Sequence, residues 1–251
     1  MSEHLGTLIV TGGSRGIGAA ISRMAAARGY AVAINYHSDR ASANAVVEEI
    51  QRDDGRAAAI QGDVGAEGDV LRLFETAEET LGSLSALVNN AGVTGGFARV
   101  DSVKAAMLER LMAVNVTGAI LCAREAVKRL STKHGGRGGA IVNISSRAAQ
   151  LGSPGEWVHY AASKAAIDAL TIGLGREVAE EGIRVNAVAP GLVETDLHAA
   201  NGDPGRPARL APTIPMGRAG TAEEIAEAVL WLLSPAASFV TATILNVGGG
   251  R

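Results

Sequence analysis

Seven short apolar runs punctuate the chain: LGTLIV (5–10), YAVAIN (30–35), RAAAIQ (56–61), ALVNN (86–90), GAIVNIS (139–145), IRVNAVA (183–189) and TILNV (243–247). Strands of a parallel sheet, covered on both faces, read as near-continuous apolar stretches rather than as alternation. Between them lie longer segments of mixed polarity near 17–28, 40–53, 67–81, 103–131, 157–180 and 221–233. Each is long enough for a right-handed helical crossover, so the pattern predicts an α/β protein: seven parallel strands with helices on both faces. No solenoid period repeats.

Residues 191–220, GLVETDLHAANGDPGRPARLAPTIPMGRAG, break this rhythm and hold four of the seven prolines. An excursion of that length in a compact domain reads as a substrate lid, against a plain surface insertion as the alternative. Its charges, Glu194, Asp196, Arg206 and Arg209, are expected to be solvated.

Composition narrows the class. In 251 residues there are 47% hydrophobic, 20% charged and 3% aromatic residues, with 32 glycines, which suits one compact domain over 1–251 with many tight turns. The net charge of −3 comes without a basic run, which removes nucleic acid as an expected partner. Cys122 is the single cysteine, so no internal disulfide forms. The start, MSEHLGTLIVTGG, lacks a secretory pattern, and no uncharged apolar run is long enough to span a bilayer. A soluble cytoplasmic protein is expected. His4, His37, His134, His159 and His198 are scattered without a ligand pattern, so no metal is expected.

The first run leads into TGGSRGIG (11–18) and then into a helix, the order in which helix N-terminal amides and glycines receive a diphosphate. Gly12, Gly16 and Gly18 give GxxxGxG rather than the strict GxGxxG. The letters also fit GxSxG, the nucleophile elbow of hydrolases, but only eleven residues precede it, too few for the strand and loop that complete an oxyanion hole. A GxxxxGK[ST] loop is missing from the sequence. Further on, HYAASK (159–164) sets Tyr160 and Lys164 on one helical face.

Taken in order, TGGSRGIG, NNAG (89–92), Asn115 in VNVTG, Ser146 in IVNISS, YAASK (160–164) and PG (190–191) resemble the short-chain dehydrogenase/reductase family over nearly the whole chain. The resemblance implies a Rossmann-like, doubly wound domain that binds NAD or NADP, with Tyr160 as catalytic acid or base. It further implies that Lys164 holds the nicotinamide ribose, that Ser146 orients the substrate oxygen, and that Asn115 holds a relay water. Chemistry agrees: hydride transfer to a carbonyl needs a proton donor at the oxygen, and a neighbouring Lys164 ammonium, together with the positive ring of the oxidised cofactor, is expected to lower a phenol whose ordinary pKa is about 10. Ser146 could instead end a strand beside Ser145, and Asn115 could interrupt a helix.

By the same resemblance, Gly12, Ser14, Arg15, Ile17 and Gly18 would surround the diphosphate. Asn90, Ala91 and Gly92 would line the cofactor or brace the turn, Asp63 and Val64 would meet the adenine, and Pro190, Gly191, Val193 and Thr195 would pass the carboxamide. Asp63 has a rival role as a helix N-cap. At the end of the second strand Tyr36 stands where NAD enzymes place a carboxylate. With Arg15, His37 and Ser38 nearby and Arg40 as a helper, NADP(H) is favoured, NAD(H) remaining the alternative if Asp39 repels the phosphate.

The reading is an NADP(H)-dependent oxidoreductase interconverting an alcohol and a ketone or aldehyde. The alternatives are a 3-oxoacyl-thioester reductase of fatty-acid synthesis and a catalytically silent dinucleotide sensor. Ser146 and Tyr160 are separated by one residue more than is common in the family, an insertion that the turn formers Ser153, Pro154 and Gly155 can absorb. A homotetramer or dimer through the helices near 103–131 and 157–180 is implied, where Ala161, Ala162, Ala165 and Ala166 permit close packing.

Overall fold

The computed structural model describes residues 5–195 and 202–251. All seven predicted strands form: β1 Thr7–Val10, β2 Ala31–Tyr36, β3 Arg56–Gln61, β4 Leu84–Asn89, β5 Gly139–Ile144, β6 Ile183–Pro190 and β7 Ile244–Val247. They pair in parallel in the order β3-β2-β1-β4-β5-β6-β7. The chain winds outward one way from β1 and the other way from β4, which leaves a crevice beyond the carboxyl ends of those two strands. Open α/β sheets bind ligands at that reversal.

Alternation within the strands divides the core. Leu8, Val10, Val32 and Ile34 face a layer built from α1 (Gly16–Ala27), α2 (Arg40–Arg52) and a C-terminal helix, Ala222–Leu233. Ile9, Ala31, Ala33 and Leu87 face the opposite way, toward α3 (Glu67–Leu81) and a helix over Ala119–Leu130. β1, β2, β4, β5 and β6 therefore bury both of their faces, which is why those runs carry so few polar residues, while β3 and β7 at the sheet edges are more exposed.

The segment expected as one helix over 103–131 is divided. It comprises α4 (Ala105–Met112), a π-type turn over Ala113–Gly118, and α5 (Ala119–Leu130). A widened turn of this kind is common at functional positions, and Asn115 lies within it. At its end Gly118 passes so close to β3's exit that a Cβ would stand 2.8 Å from the Val64 carbonyl oxygen. By length and composition alone, Ala105–Leu130 could cross a membrane, with a mean hydropathy of 1.4. Its uncharged part runs only from Leu111 to Ala123, and α5 packs on β4 and α3.

Two short helices were not expected from the pattern: α6 (Ala148–Leu151) and α8 (Arg206–Leu210). Between them α7 (Val158–Glu177) carries the YAASK turn, and α9 (Ala222–Leu233) follows. Within the excursion, residues 196–201, and with them Asp196 and His198, lie outside the described residues. The described remainder is anchored: Val193 bridges to Gly220, and α8 runs into a 3-10 turn at Ala211–Thr213.

Candidate active site

The turn after β1 is built to hold a polar ligand against bare backbone. Gly12 and Gly16 adopt φ of +61° and +51°, a region natural to glycine. A Cβ on Gly18 would run into the Gly12 carbonyl and stand 2.5 Å from Asn90 Nδ2. Asn90 braces the turn, its side-chain amide donating to the carbonyls of Thr11 and Gly12, both at 2.9 Å. The Thr11 hydroxyl accepts from the main-chain N–H groups of Asn90 and Ala91. Arg15, the N-cap of α1, places no side-chain acceptor on the helix, and the first turn holds no acidic residue. The leading amides of α1 thus keep their partial positive charge for an anion.

From this turn a cleft of about 320 Å³ extends along the crevice, bordered by Arg15, Tyr36, His37 and Ser38, then by Asp63 and Val64, and reaching Tyr160 and Lys164. No carboxylate ends β2. Asp39, three residues on, caps α2 by accepting from Ser42 N at 3.0 Å and from its hydroxyl. Those two bonds, with a smaller contribution from Arg15, hold its carboxyl below the usual range. Asp63 accepts from Gly65 N at 2.9 Å and from Arg110 Nη1 at 2.6 Å, and these outweigh a burial that would raise it.

At the far end, Ser146 follows β5 while Tyr160 and Lys164 occupy the first turns of α7. Tyr160 and Ser146 border the same cavity, the Ser146 hydroxyl being near enough to favour the phenolate, and the Tyr160 ring lies 5.8 Å from Lys164 Nζ. Lys164 is 4% exposed and donates to the Ile144 carbonyl at 2.7 Å. Burial pushes the Tyr160 phenol up to about 12, against the Ser146 hydroxyl. Burial also pulls Lys164 down to about 8, against the charge of Asp168. Loss of solvent is the larger influence on both groups, whereas the lowering expected for the phenol includes the positive ring of an oxidised cofactor. Ser145, buried, donates to Asp168, while Ser146 faces Tyr160. The two adjacent serines are thereby told apart.

Asn115 is engaged within the protein. Its side chain accepts from Val93 N and donates to Val93 O, both at 2.8 Å, and to Ser163 Oγ at 3.0 Å. It borders neither the cleft nor the second cavity beside it, so its side chain braces the β4 exit against α7.

That second cavity, about 150 Å³, opens on Tyr160 and Ser146 from the other side and is bordered by Leu151, Trp157, Val193 and Arg206. The cleft of about 320 Å³ and the smaller cavity thus share Tyr160, along with Ile17, Thr94, Ile144 and Thr195. Residues 12–251 match the profile of a family described as enoyl-(acyl carrier protein) reductase. An uncharacterised oxidoreductase of Escherichia coli (strain K12), YgfF, is 49% identical over 97% of this chain and 98% of its own. A 3-oxoacyl-[acyl-carrier-protein] reductase of Synechocystis is 38% identical over 96% of this chain and 95% of its own. A short chain dehydrogenase from Burkholderia cenocepacia, solved in complex with NADP, superposes with a TM-score of 0.91 at 33% identity, covering 100% of this chain and 99% of that one. The chain belongs to the short-chain dehydrogenase/reductase family. It is an oxidoreductase with a Rossmann-like fold.

Within this short-chain dehydrogenase/reductase, the residues singled out in the sequence divide between the two spaces. Gly12, Ser14, Arg15, Ile17, Gly18, Tyr36, His37, Ser38, Asp63, Val64, Asn90, Ala91, Gly92 and Thr195 border the large cleft with Tyr160 and Lys164. Pro190, Gly191 and Val193 border the smaller cavity instead, with Ser146. Asp63 does not cap α3, whose N-cap is Ala66; its carboxylate closes a local turn at Gly65. Arg40 donates to the Tyr36 hydroxyl at 3.1 Å and does not border the cleft.

The clearest correction is Arg206. Expected in solvent, it is 7% exposed and paired with Glu156, because its guanidinium lies over the Trp157 ring. Arg209 does remain exposed, paired with Asp203. Sequence reasoning also missed Arg110, Ile144 and Asp168. Each matters through a partner distant in sequence or one helical turn away, and only the i, i+4 spacing of Lys164 and Asp168 offered a signal.

Proposed function

We propose that the protein reduces a ketone or aldehyde with NADPH, Tyr160 serving as the proton donor. The observation that carries this reading is that both cavities border Tyr160, whose phenol burial pushes up to about 12 so that it holds its proton well into alkaline pH. The glycine cradle fits a dinucleotide, since Gly12, Ser14, Gly16 and Gly18 border the cleft and the first turn of α1 holds neither a side-chain cap nor an acidic residue. When bound, NADPH supplies the hydride. Ser146 and Tyr160 hydrogen-bond the carbonyl oxygen, and the Tyr160 proton passes to that oxygen as the C–H bond forms, giving the alcohol. The phenolate left behind is stabilised by Lys164 and regains its proton from solvent past that ammonium. Asn115 acts through its hold on Val93 and Ser163, and a relay water would sit on its main-chain carbonyl rather than its side chain.

NADPH rather than NADH is supported by Tyr36 at the end of β2, by Arg15 and Ser38 on the cleft, and by the engagement of Asp39 with Ser42. The Burkholderia neighbour's bound NADP agrees. Apolar side chains left open on α4 and α5, Leu108, Met112 and Ile120, support a homo-oligomer.

The Synechocystis relative favours a second reading, 3-oxoacyl-thioester reduction. A silent dinucleotide sensor is disfavoured by the assembled Ser146, Tyr160 and Lys164. Titration with NADPH and NADH, before and after Arg15→Ala, followed by a carbonyl panel that includes an acetoacetyl thioester, separates these readings. Equal affinity for both cofactors in the unmodified protein removes the NADPH preference. Turnover confined to the thioester selects the second reading.

A further inference from the structure

Four side chains from three parts of the chain form a continuous layer beside the smaller cavity. Phe97, from the segment after β4, stacks on Trp157 with ring centroids 4.5 Å apart and planes at 14°. The Arg206 guanidinium, from α8, lies 4.7 Å from the Trp157 centroid and 5.4 Å from that of Phe97. Trp157 then meets Tyr160 edge-on at 6.1 Å. Arg206 is fixed in place by a two-pronged hydrogen bond to Glu156, at 3.1 and 2.5 Å. The Glu156 carbonyl in turn accepts from Ala98 N at 2.9 Å, tying the strip that carries Phe97 to the same point.

We propose that Arg206 is a positioning residue that holds Trp157 against Tyr160 and so restricts the substrate cavity to compact carbonyl compounds. The proposal rests on the carbonyl-reductase reading of the site. Arg206 is the buried cation of an excursion whose other described arginines, Arg209 and Arg218, are exposed and paired locally with Asp203 and Glu224. Its planar fork matches the carboxylate while its face covers the indole, two demands that a lysine cannot meet together. Trp157 and Arg206 both border the cavity of about 150 Å³, which is small beside the roughly 300–1,000 Å³ of ordinary small-molecule sites.

The extra residue between Ser146 and Tyr160 serves this arrangement. After α6 the chain turns through Gly152 (φ +75°), Ser153 (φ +45°) and Gly155 (φ +77°), and this turn delivers Glu156 and Trp157 to Arg206 just before α7 begins. A non-glycine residue at positive φ is strained and persists where its surroundings determine it. The insertion therefore shapes the wall of the cavity through Ser153 and Trp157 and leaves Ser146 and Tyr160 together on its border.

The test uses Trp157 as its own reporter in a Trp231→Phe background, Trp157 and Trp231 being the two tryptophans. Acrylamide quenching of Trp157 is expected to rise about threefold in Arg206→Ala, with NADPH affinity unchanged. Arg206→Lys is expected to follow Arg206→Ala, since it keeps the charge and loses the fork and the stack. In turnover with NADPH, Arg206→Ala is expected to raise the kcat/KM ratio of 2-decanone to 2-butanone about tenfold, through KM for the longer ketone. Unchanged quenching in a folded Arg206→Ala, quenching in Arg206→Lys equal to that of the unmodified protein, or an unchanged ketone ratio overturns the proposal. If Arg206→Ala does not fold, Glu156→Gln, altered at the half-exposed partner, carries the same measurements. If the unmodified protein turns over neither ketone, the reductase reading falls, and quenching alone decides whether Arg206 holds Trp157.

Discussion

The Lys164 ammonium donates to the main-chain carbonyl oxygen of Ile144, the last residue of β5, at 2.7 Å. One bond therefore ties the helix that carries Tyr160 to the strand that leads to Ser146. Lys164→Met is expected to do two things at once. Leaving a buried carbonyl unpaired costs about 1–3 kcal/mol, read as a lowered midpoint in urea. Loss of the charge that stabilises the phenolate lowers carbonyl reduction by about 10²-fold or more. A variant with unchanged stability would show that the Ile144 bond contributes little to the fold.

The pH dependence of turnover follows from the same pair. Burial holds the Tyr160 phenol near 12, so the proton donor stays loaded through neutral and mildly alkaline pH. Burial holds Lys164 near 8, so its ammonium is present below that pH and lost above it. Reduction should therefore plateau on the acid side and fall as pH rises through about 8. Asp168 draws the Lys164 value upward and lies one turn further along α7. Asp168→Asn should move the falling limb to lower pH, a shift that a purely structural role would not produce.

Gly18→Ala tests the cradle. The added methyl would meet the Gly12 carbonyl and the Asn90 amide that braces the turn. Overpacking of this kind costs about 1–3 kcal/mol, and the displaced turn should weaken NADPH binding in a fluorescence titration. Gly68→Ala, at a position where a Cβ meets no atom within 4 Å, should leave both stability and binding near their starting values.

Much of this architecture was legible in the residue pattern, for a physical reason. A strand buried on both faces must be apolar nearly throughout, so β1, β2, β4, β5 and β6 announced themselves, and glycines at a strand-to-helix turn have few other uses. Asn115 showed only half of its role, since a π-type turn leaves no periodic signature, and the partners of its amide, Val93 and Ser163, come from other elements. The burial around the phenol was not legible, because a spacing of four residues reports proximity and not solvent. Arg206 was misplaced for a related reason. Its burial depends on Glu156 and Trp157, fifty residues away in sequence, and nothing near it in the chain marks it as different from Arg209.

Hydride consumption by Tyr160→Phe tests the central claim most directly. The variant removes one hydroxyl from a ring still packed against Trp157, so the fold and NADPH binding should persist. With a carbonyl that the unmodified protein reduces, loss of nicotinamide absorbance should slow by about 10²–10⁴-fold. A folded, NADPH-binding Tyr160→Phe that turns over at the original rate would contradict the assignment of Tyr160 as the proton donor.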